Sequence, residues 1–126
     1  MLYSASKMLA PAWYNMENLN KLEISILERL SERYASIKMH IPYLQILNRE
    51  NTGVGMYINF GYSKAPIGNL NIPDSSISTN ENIDIKGLKY GLGYEVDISN
   101  GKINFIELFT YGEEWDGIIT EYNFKN

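Results

Sequence analysis

The chain contains no cysteine and one histidine, His40. Without cysteine there is no disulfide framework and no thiolate nucleophile. A zinc site takes several His or Cys ligands and cannot be assembled from this inventory. A Ser–His–Asp triad would depend on His40 alone, and no serine stands in a glycine-flanked elbow. His40 lies beside Pro42 at an element boundary and reads as an ordinary structural histidine. Long apolar runs are also missing, so no segment is predicted to span a membrane. Residues 1–15 have no charged stretch followed by a continuous apolar one, which argues against a signal peptide. The expected compartment is the cytoplasm. Basic excess is absent too: 11 Lys and Arg face 15 Asp and Glu, for a net charge of −4. That argues against non-specific nucleic-acid binding and suits a partner that is itself basic.

The glycine pairs Gly53-Val54-Gly55 and Gly91-Leu92-Gly93 lack the third glycine and the Lys-Ser/Thr of phosphate cradles. They read as turn and strand-edge glycines, where another backbone or a large ring passes close. The acidic run Glu113–Asp116 has no EF-hand spacing. No cofactor, metal or catalytic set is expected.

What is present is a chain of 126 residues with 44% hydrophobic content and ten tyrosines, enough for one domain with half-wet aromatic faces. Residues 1–15 do not share the periodicity that follows. They read either as an upstream extension or cloning remnant, or as a segment that docks Trp13 and Tyr14, with the domain proper spanning 16–126. From Asn15 to Ile37 the apolar positions Leu19, Leu22, Ile26, Leu27, Leu30, Tyr34 and Ile37 predict one long amphipathic helix, capped by Asn15 or Asn18. Pro42 should exclude helix through His40–Ile41. Strands are expected at Tyr43–Asn48, Gly55–Tyr62, from Ile83, and from Ile118 to Phe124. Residues 63–80 should form a long surface loop. The fold class is therefore α+β, with the helix packed on an antiparallel sheet of five to six strands.

The central stretch is Gly91–Trp115. Alternation from Leu92 to Ile98, then Asn100-Gly101, then Ile103 onward, predicts a hairpin with a two-residue turn. An unbroken register pairs Ile98 with Ile103, Val96 with Phe105, Tyr94 with Glu107 and Leu92 with Phe109. It places Glu107 in the core, where an unpaired carboxylate costs several kcal/mol by order of magnitude. Two readings stay open. Glu107 is a structural acceptor for Tyr94, Tyr111 or an arginine, or it marks a functional site at the open end of the sheet. The loop Tyr111–Asp116 gathers Tyr111, Glu113, Glu114, Trp115 and Asp116. It reads as a partner-binding loop with Trp115 as anchor, or as a Trp folded back over the sheet edge.

Two stretches carry a resemblance. Arg49-Glu50-Asn51-Thr52-Gly53-Val54-Gly55-Met56-Tyr57 resembles an RE-x-TGVG-aromatic segment. Gly87–Trp115 resembles the C-terminal half of the same group, with Asn-Gly, Ile-Glu-x-x-Thr-Tyr and a following Trp. The group consists of small bacterial cytoplasmic proteins without an assigned activity. Met56 stands where an aromatic is usual, and Leu108-Phe109 where Gly-Tyr is usual. The resemblance implies that Glu107, Tyr111 and Trp115 belong to a family pattern. It supplies no substrate, cofactor or catalytic residue.

These features lead to a non-enzymatic binding protein, most concretely a bacterial immunity protein that occludes a basic toxin domain. The rival is a small-ligand protein or enzyme using Glu107 with Tyr94 and Tyr111. A third reading is a structural subunit that self-associates through an open sheet edge.

Overall fold

The computed structural model describes residues 17–66 and 68–126. Trp13, Tyr14 and the cap candidate Asn15 lie outside the described residues. Among the described residues the order is α1 (Lys21–Arg33), α2 (Ser36–His40), a 3-10 turn (Ile41–Tyr43), β1 (Leu44–Asn51), β2 (Gly55–Tyr62), β3 (Ser75–Ile77), β4 (Asn82–Ile85), β5 (Leu92–Ser99), β6 (Lys102–Thr110) and β7 (Tyr122–Lys125). The strands form one antiparallel sheet in the order β1-β2-β6-β5-β4-β7, with β3 lying beside β5. The α+β class is as expected, with seven strands rather than five or six.

Helix α1 is shorter than the periodicity suggests and starts later. Its cap is Asn20: the Asn20 side chain accepts from the Glu23 N–H at 2.9 Å, and Glu23 Oε1 accepts from the Asn20 N–H at 2.8 Å. This reciprocal box satisfies two of the orphan donors at the helix start. Residues before it are extended, and Glu17 exchanges two backbone hydrogen bonds with Ile46 on the free edge of β1. Leu22, Ile26, Leu27 and Leu30 are buried against the sheet. The helix stops at Tyr34, whose φ of −123° and ψ of 82° are not helical. The break redirects the chain so that Ile37 and His40 on α2 both reach the interior. Helical geometry then runs through Ile41, because Pro42 occupies the first turn of the 3-10 segment, where a missing N–H leaves no bond unmade. The 63–80 segment is not a plain loop, since its Ser-rich composition conceals β3, which buries Ile77 opposite Val96. The last strand begins at Tyr122, and Ile118 is 60% exposed.

The β5–β6 hairpin closes through Asn100 (φ 54°) and Gly101 (φ 71°), the positive-φ pair that a tight primed turn requires. Ser99 pairs with Lys102 and Ile98 with Ile103, as expected. Next comes a bulge. Asp97 pairs with Phe105, so Asn104 is the extra residue, and each later partner moves by one: Val96 with Ile106, Tyr94 with Leu108, Leu92 with Thr110. A one-residue slip exchanges the two faces of a strand. Ile103 faces the core in either register; Ile106 and Leu108 enter it through the slip, while Phe105, Glu107 and Phe109 turn to the outer face. Glu107 is thus not a core carboxylate. The bulge leaves its charge in contact with water and fills the interior with close-packing aliphatic groups instead.

Two polar struts cross the interior. Arg49 on β1 makes a forked pair with Glu23, Nε to Oε2 at 2.7 Å and an Nη to Oε1 at 2.9 Å, and Glu23 is fully buried. The hydrogen bond to Glu23 pushes the Arg49 guanidinium above its usual range. At the other end of the sheet, Tyr62 Oη accepts from the Ile103 N–H at 2.9 Å and meets His40 Nδ1 at 2.8 Å, while His40 Nε2 meets the Gly68 carbonyl at 3.0 Å. A carbonyl only accepts, so Nε2 carries the proton and Nδ1 accepts from Tyr62. Burial raises the Tyr62 phenol to about 12, and burial holds the His40 imidazole below its ordinary value of 6.5.

Two outcomes are expected. Arg49→Met strands a buried carboxylate and should cost about 3–5 kcal/mol in urea denaturation, with Glu23→Leu on top of it restoring only part of the loss, because Glu23 also closes the α1 capping box. His40 is neutral in the fold and takes up a proton more readily when unfolded. Its contribution is therefore complete above about pH 6.5 and declines as pH falls below 6.5 toward the folded value. The stability difference between wild type and His40→Gln should narrow from pH 7.5 to pH 5.5.

Candidate functional site

The inner face of the sheet is occupied by α1, and among the described residues nothing covers the outer face. Its side chains follow from the observed register. One cross-strand row reads Glu50, Tyr57, Glu107, Glu95 across β1, β2, β6 and β5. The next reads Asn48, Asn59, Phe105, Asp97. A third is Gly55, Phe109, Gly93. The face is thus a platform of carboxylates, asparagines and aromatic rings. Tyr57 and Phe105 meet edge to face at 5.6 Å, and Phe109 and Tyr111 at 5.8 Å.

The glycines shape this platform. A side chain at Gly93 would run into the Phe109 ring and the Tyr111 hydroxyl, and one at Gly55 into the Leu108 carbonyl. Gly55, Gly91 and Gly93 are therefore close-approach positions, whereas Gly53 is a turn glycine with a φ of 85° and open space around it. Tyr111 lies over Gly93 and remains 52% exposed.

Four carboxylates stand on this face, and among the described residues none of them has an ion-pair partner. The ion pairs that do form are Arg29–Glu81, Arg49–Glu17, Arg49–Glu23 and Lys125–Asp84. Glu50 accepts from the Asn59 amide, and Asp97 accepts from Ser99 Oγ and the Asn104 amide. Glu95 and Glu107 sit directly opposite each other, an arrangement that repels across an antiparallel pair. The negative charge of Glu107 beside it pushes the Tyr57 phenol above its usual range. An approaching cation would relieve this repulsion. Among the described residues, no group of three His, Cys, Asp or Glu side chains is placed to hold a metal ion.

The residues singled out from the sequence divide into three kinds. Tyr111, Glu114 and Asp116 are exposed at the end of the platform where β6 finishes. Glu113 is engaged internally, its two oxygens accepting from the Lys89 and Tyr90 N–H groups at 2.9 Å each. Trp115 is only 5% exposed and packs in the core, with its backbone N–H donating to the Gly53 carbonyl at 2.8 Å. It is the folded-back indole, not an exposed anchor. Asn51 holds this turn through the Asp116 carbonyl. The proposed group of Glu107, Tyr94 and Tyr111 does not converge. Tyr94 points inward beside Leu108, with its hydroxyl at Thr79, whereas Glu107 faces outward.

Sequence reading missed the row Glu50, Tyr57, Glu95, because it exists only across strand pairs. The alternation in β5 shows Glu95 of this row and Asp97 of the next.

Trp115→Ala should therefore lose about 3–5 kcal/mol of stability by emptying a core site. Tyr111→Ala, at an exposed position, should cost about 1 kcal/mol or less. Parallel denaturant titrations would check the contrast.

No family model matches this chain, and no curated protein or solved structure matches it, so the kinship suggested by the two motif stretches rests on those residues alone.

Proposed function

We propose that this chain is a non-enzymatic bacterial binding protein of the cytoplasm, most concretely an immunity protein that neutralises a basic toxin domain by occluding it. The observation that carries this reading is the sheet face that nothing covers among the described residues, on which Glu50, Glu95, Glu107 and Asp97 stand among aromatic rings with no ion-pair partner among those residues. Aromatic residues supply stiff contact area, and carboxylates steer a cationic partner. The net charge of −4 adds to the same field.

Size sets how much surface must join in. Four strands about 4.8 Å apart and five residues about 3.4 Å apart make a platform of roughly 300 Å². A stable protein–protein contact buries about 800 Å² per partner. The rim around Tyr111, Glu114 and Asp116 belongs to the interface on this reading.

The enzyme or small-ligand reading loses support because Tyr94 and Glu107 lie on opposite faces of the sheet. Self-association through β1 also finds little support. That edge is bulged at Leu47 and bridged by Glu17, devices that blunt strand addition.

The test is co-expression with a basic cytotoxic domain encoded beside this chain, followed by binding kinetics at two salt concentrations. Wild type should protect the host and bind with salt-sensitive association. The double reversal Glu95→Lys, Glu107→Lys should slow association about tenfold or more, while the remote Glu121→Lys should not. Equal binding by all three at both salt concentrations would overturn the assignment of this face.

A further inference from the structure

Strand β5 has an interrupted neighbour. Val96 pairs with Ile77 of β3 and Leu92 with Ile83 of β4. Residues 78–82 must therefore pass opposite only residues 93–95, and the surplus bows outward. Asn80 marks the bow with a φ of 63°, and Ser78 Oγ accepts from its N–H at 3.0 Å. The bow is pinned from beneath, where Thr79 meets the Tyr94 hydroxyl and Thr79 Oγ1 donates to Glu81 at 2.8 Å. Between the bow and the platform lies a cleft of about 180 Å³ bordered by Asn80, Glu81, Gly93, Glu95, Phe109 and Tyr111.

That volume is below the roughly 300–1,000 Å³ of pockets that enclose a whole small-molecule ligand. It matches a single side chain. The borders specify which one. Phe109 and Tyr111 present ring surface, and Glu95 presents a carboxylate with no ion-pair partner among the described residues. Glu81 is already neutralised by Arg29 at 2.6 Å. A planar cation that stacks on a ring while pairing with a carboxylate is a guanidinium; an ammonium offers only a point charge. The described residues contain a worked instance of the combination: Arg29 lies 4.0 Å over the Phe124 ring while it pairs with Glu81.

We infer that this cleft is the receptor for one arginine side chain of the protein partner, held between the Tyr111–Phe109 rings and the Glu95 carboxylate. The inference rests on the proposed basic partner and names its anchor. The cleft opens beside Glu95 and Tyr111, so it is continuous with the acidic platform, and an arginine seated there would lie at the platform's margin, facing the exposed loop.

The probe is Nα-acetyl-arginine amide, titrated into the full chain and followed by backbone amide NMR, with the matching citrulline and lysine compounds alongside. Citrulline keeps the shape and loses the charge. The arginine compound should give saturable shifts centred on Gly93, Glu95 and Tyr111, and citrulline should give none. Lysine should bind about threefold or more weakly. Glu95→Gln and Tyr111→Leu, both at exposed positions, should each weaken the arginine compound about fivefold. Glu121→Gln should leave it unchanged, and the spectrum of each variant reports its folding directly. Equal shifts with citrulline, equal binding of lysine, or shifts centred elsewhere would overturn the arginine cleft. If the amide binds as expected but no basic toxin does, the immunity reading fails and the cleft stands. If a toxin binds and the probe is silent, the cleft alone fails.

Discussion

A single extra residue in β6 controls the chemistry of both faces of this sheet. The bulge at Asn104 lets Ile103 face inward next to the turn and then reverses the phase, so that Ile106 and Leu108 also face inward. Without it, Phe105, Glu107 and Phe109 would meet α1. Two large rings and a charge would then have to be accommodated where Ile26, Leu27 and Leu30 now pack. With it, the helix meets aliphatic groups that fill space closely, and the rings and carboxylates collect on the opposite side. Overpacking a core and burying an unpaired charge each cost several kcal/mol by order of magnitude. Both are avoided by one irregular residue with an exposed side chain.

Two networks of buried polar groups join elements far apart in sequence, whereas the Trp115 indole N–H and Asn82 Oδ1 are buried without a hydrogen-bond partner among the described residues. The capping box of α1 shares its glutamate with Arg49, so one carboxylate both starts the helix and ties it to β1. His40, Tyr62, Ile103 and Gly68 form a second chain of bonds linking α2, β2, the hairpin and the 63–74 segment. That segment is also held at the turn, through Leu70 to the Gly101 carbonyl and through Asp74 to the Asn100 N–H. These bonds leave the platform residues out of the internal network.

This division also separates stability from recognition within one loop. In Tyr111–Asp116, Glu113 and Trp115 hold the loop to its neighbours, and Tyr111, Glu114 and Asp116 face solvent. A binding surface placed on so firmly held a loop is pre-organised, which lowers the ordering cost of association. The open cleft next to it arises from the same economy of pairing, since β3 and β4 together cover β5 with a gap between them.

Local pattern was enough to determine several features of this protein. The amphipathic run Leu22–Leu30, the strand Gly55–Tyr62, the Asn100-Gly101 turn and the α+β class all follow from periodicity and turn chemistry, which act over a few residues. The close-approach role of Gly55 and Gly93 was legible for the same reason. The tertiary structure alone decided the register of β6. Apolar residues at 103, 105, 106, 108 and 109 fit either phase of the strand, and only competition for space beneath α1 selects the bulged one. The fates of Trp115 and Glu107 follow from that selection and from the docking of the loop on the β1–β2 turn. The acidic row could not be read in advance either: Glu50, Tyr57, Glu107 and Glu95 are neighbours through hydrogen-bonded strand pairing, which brings together residues up to 57 positions apart.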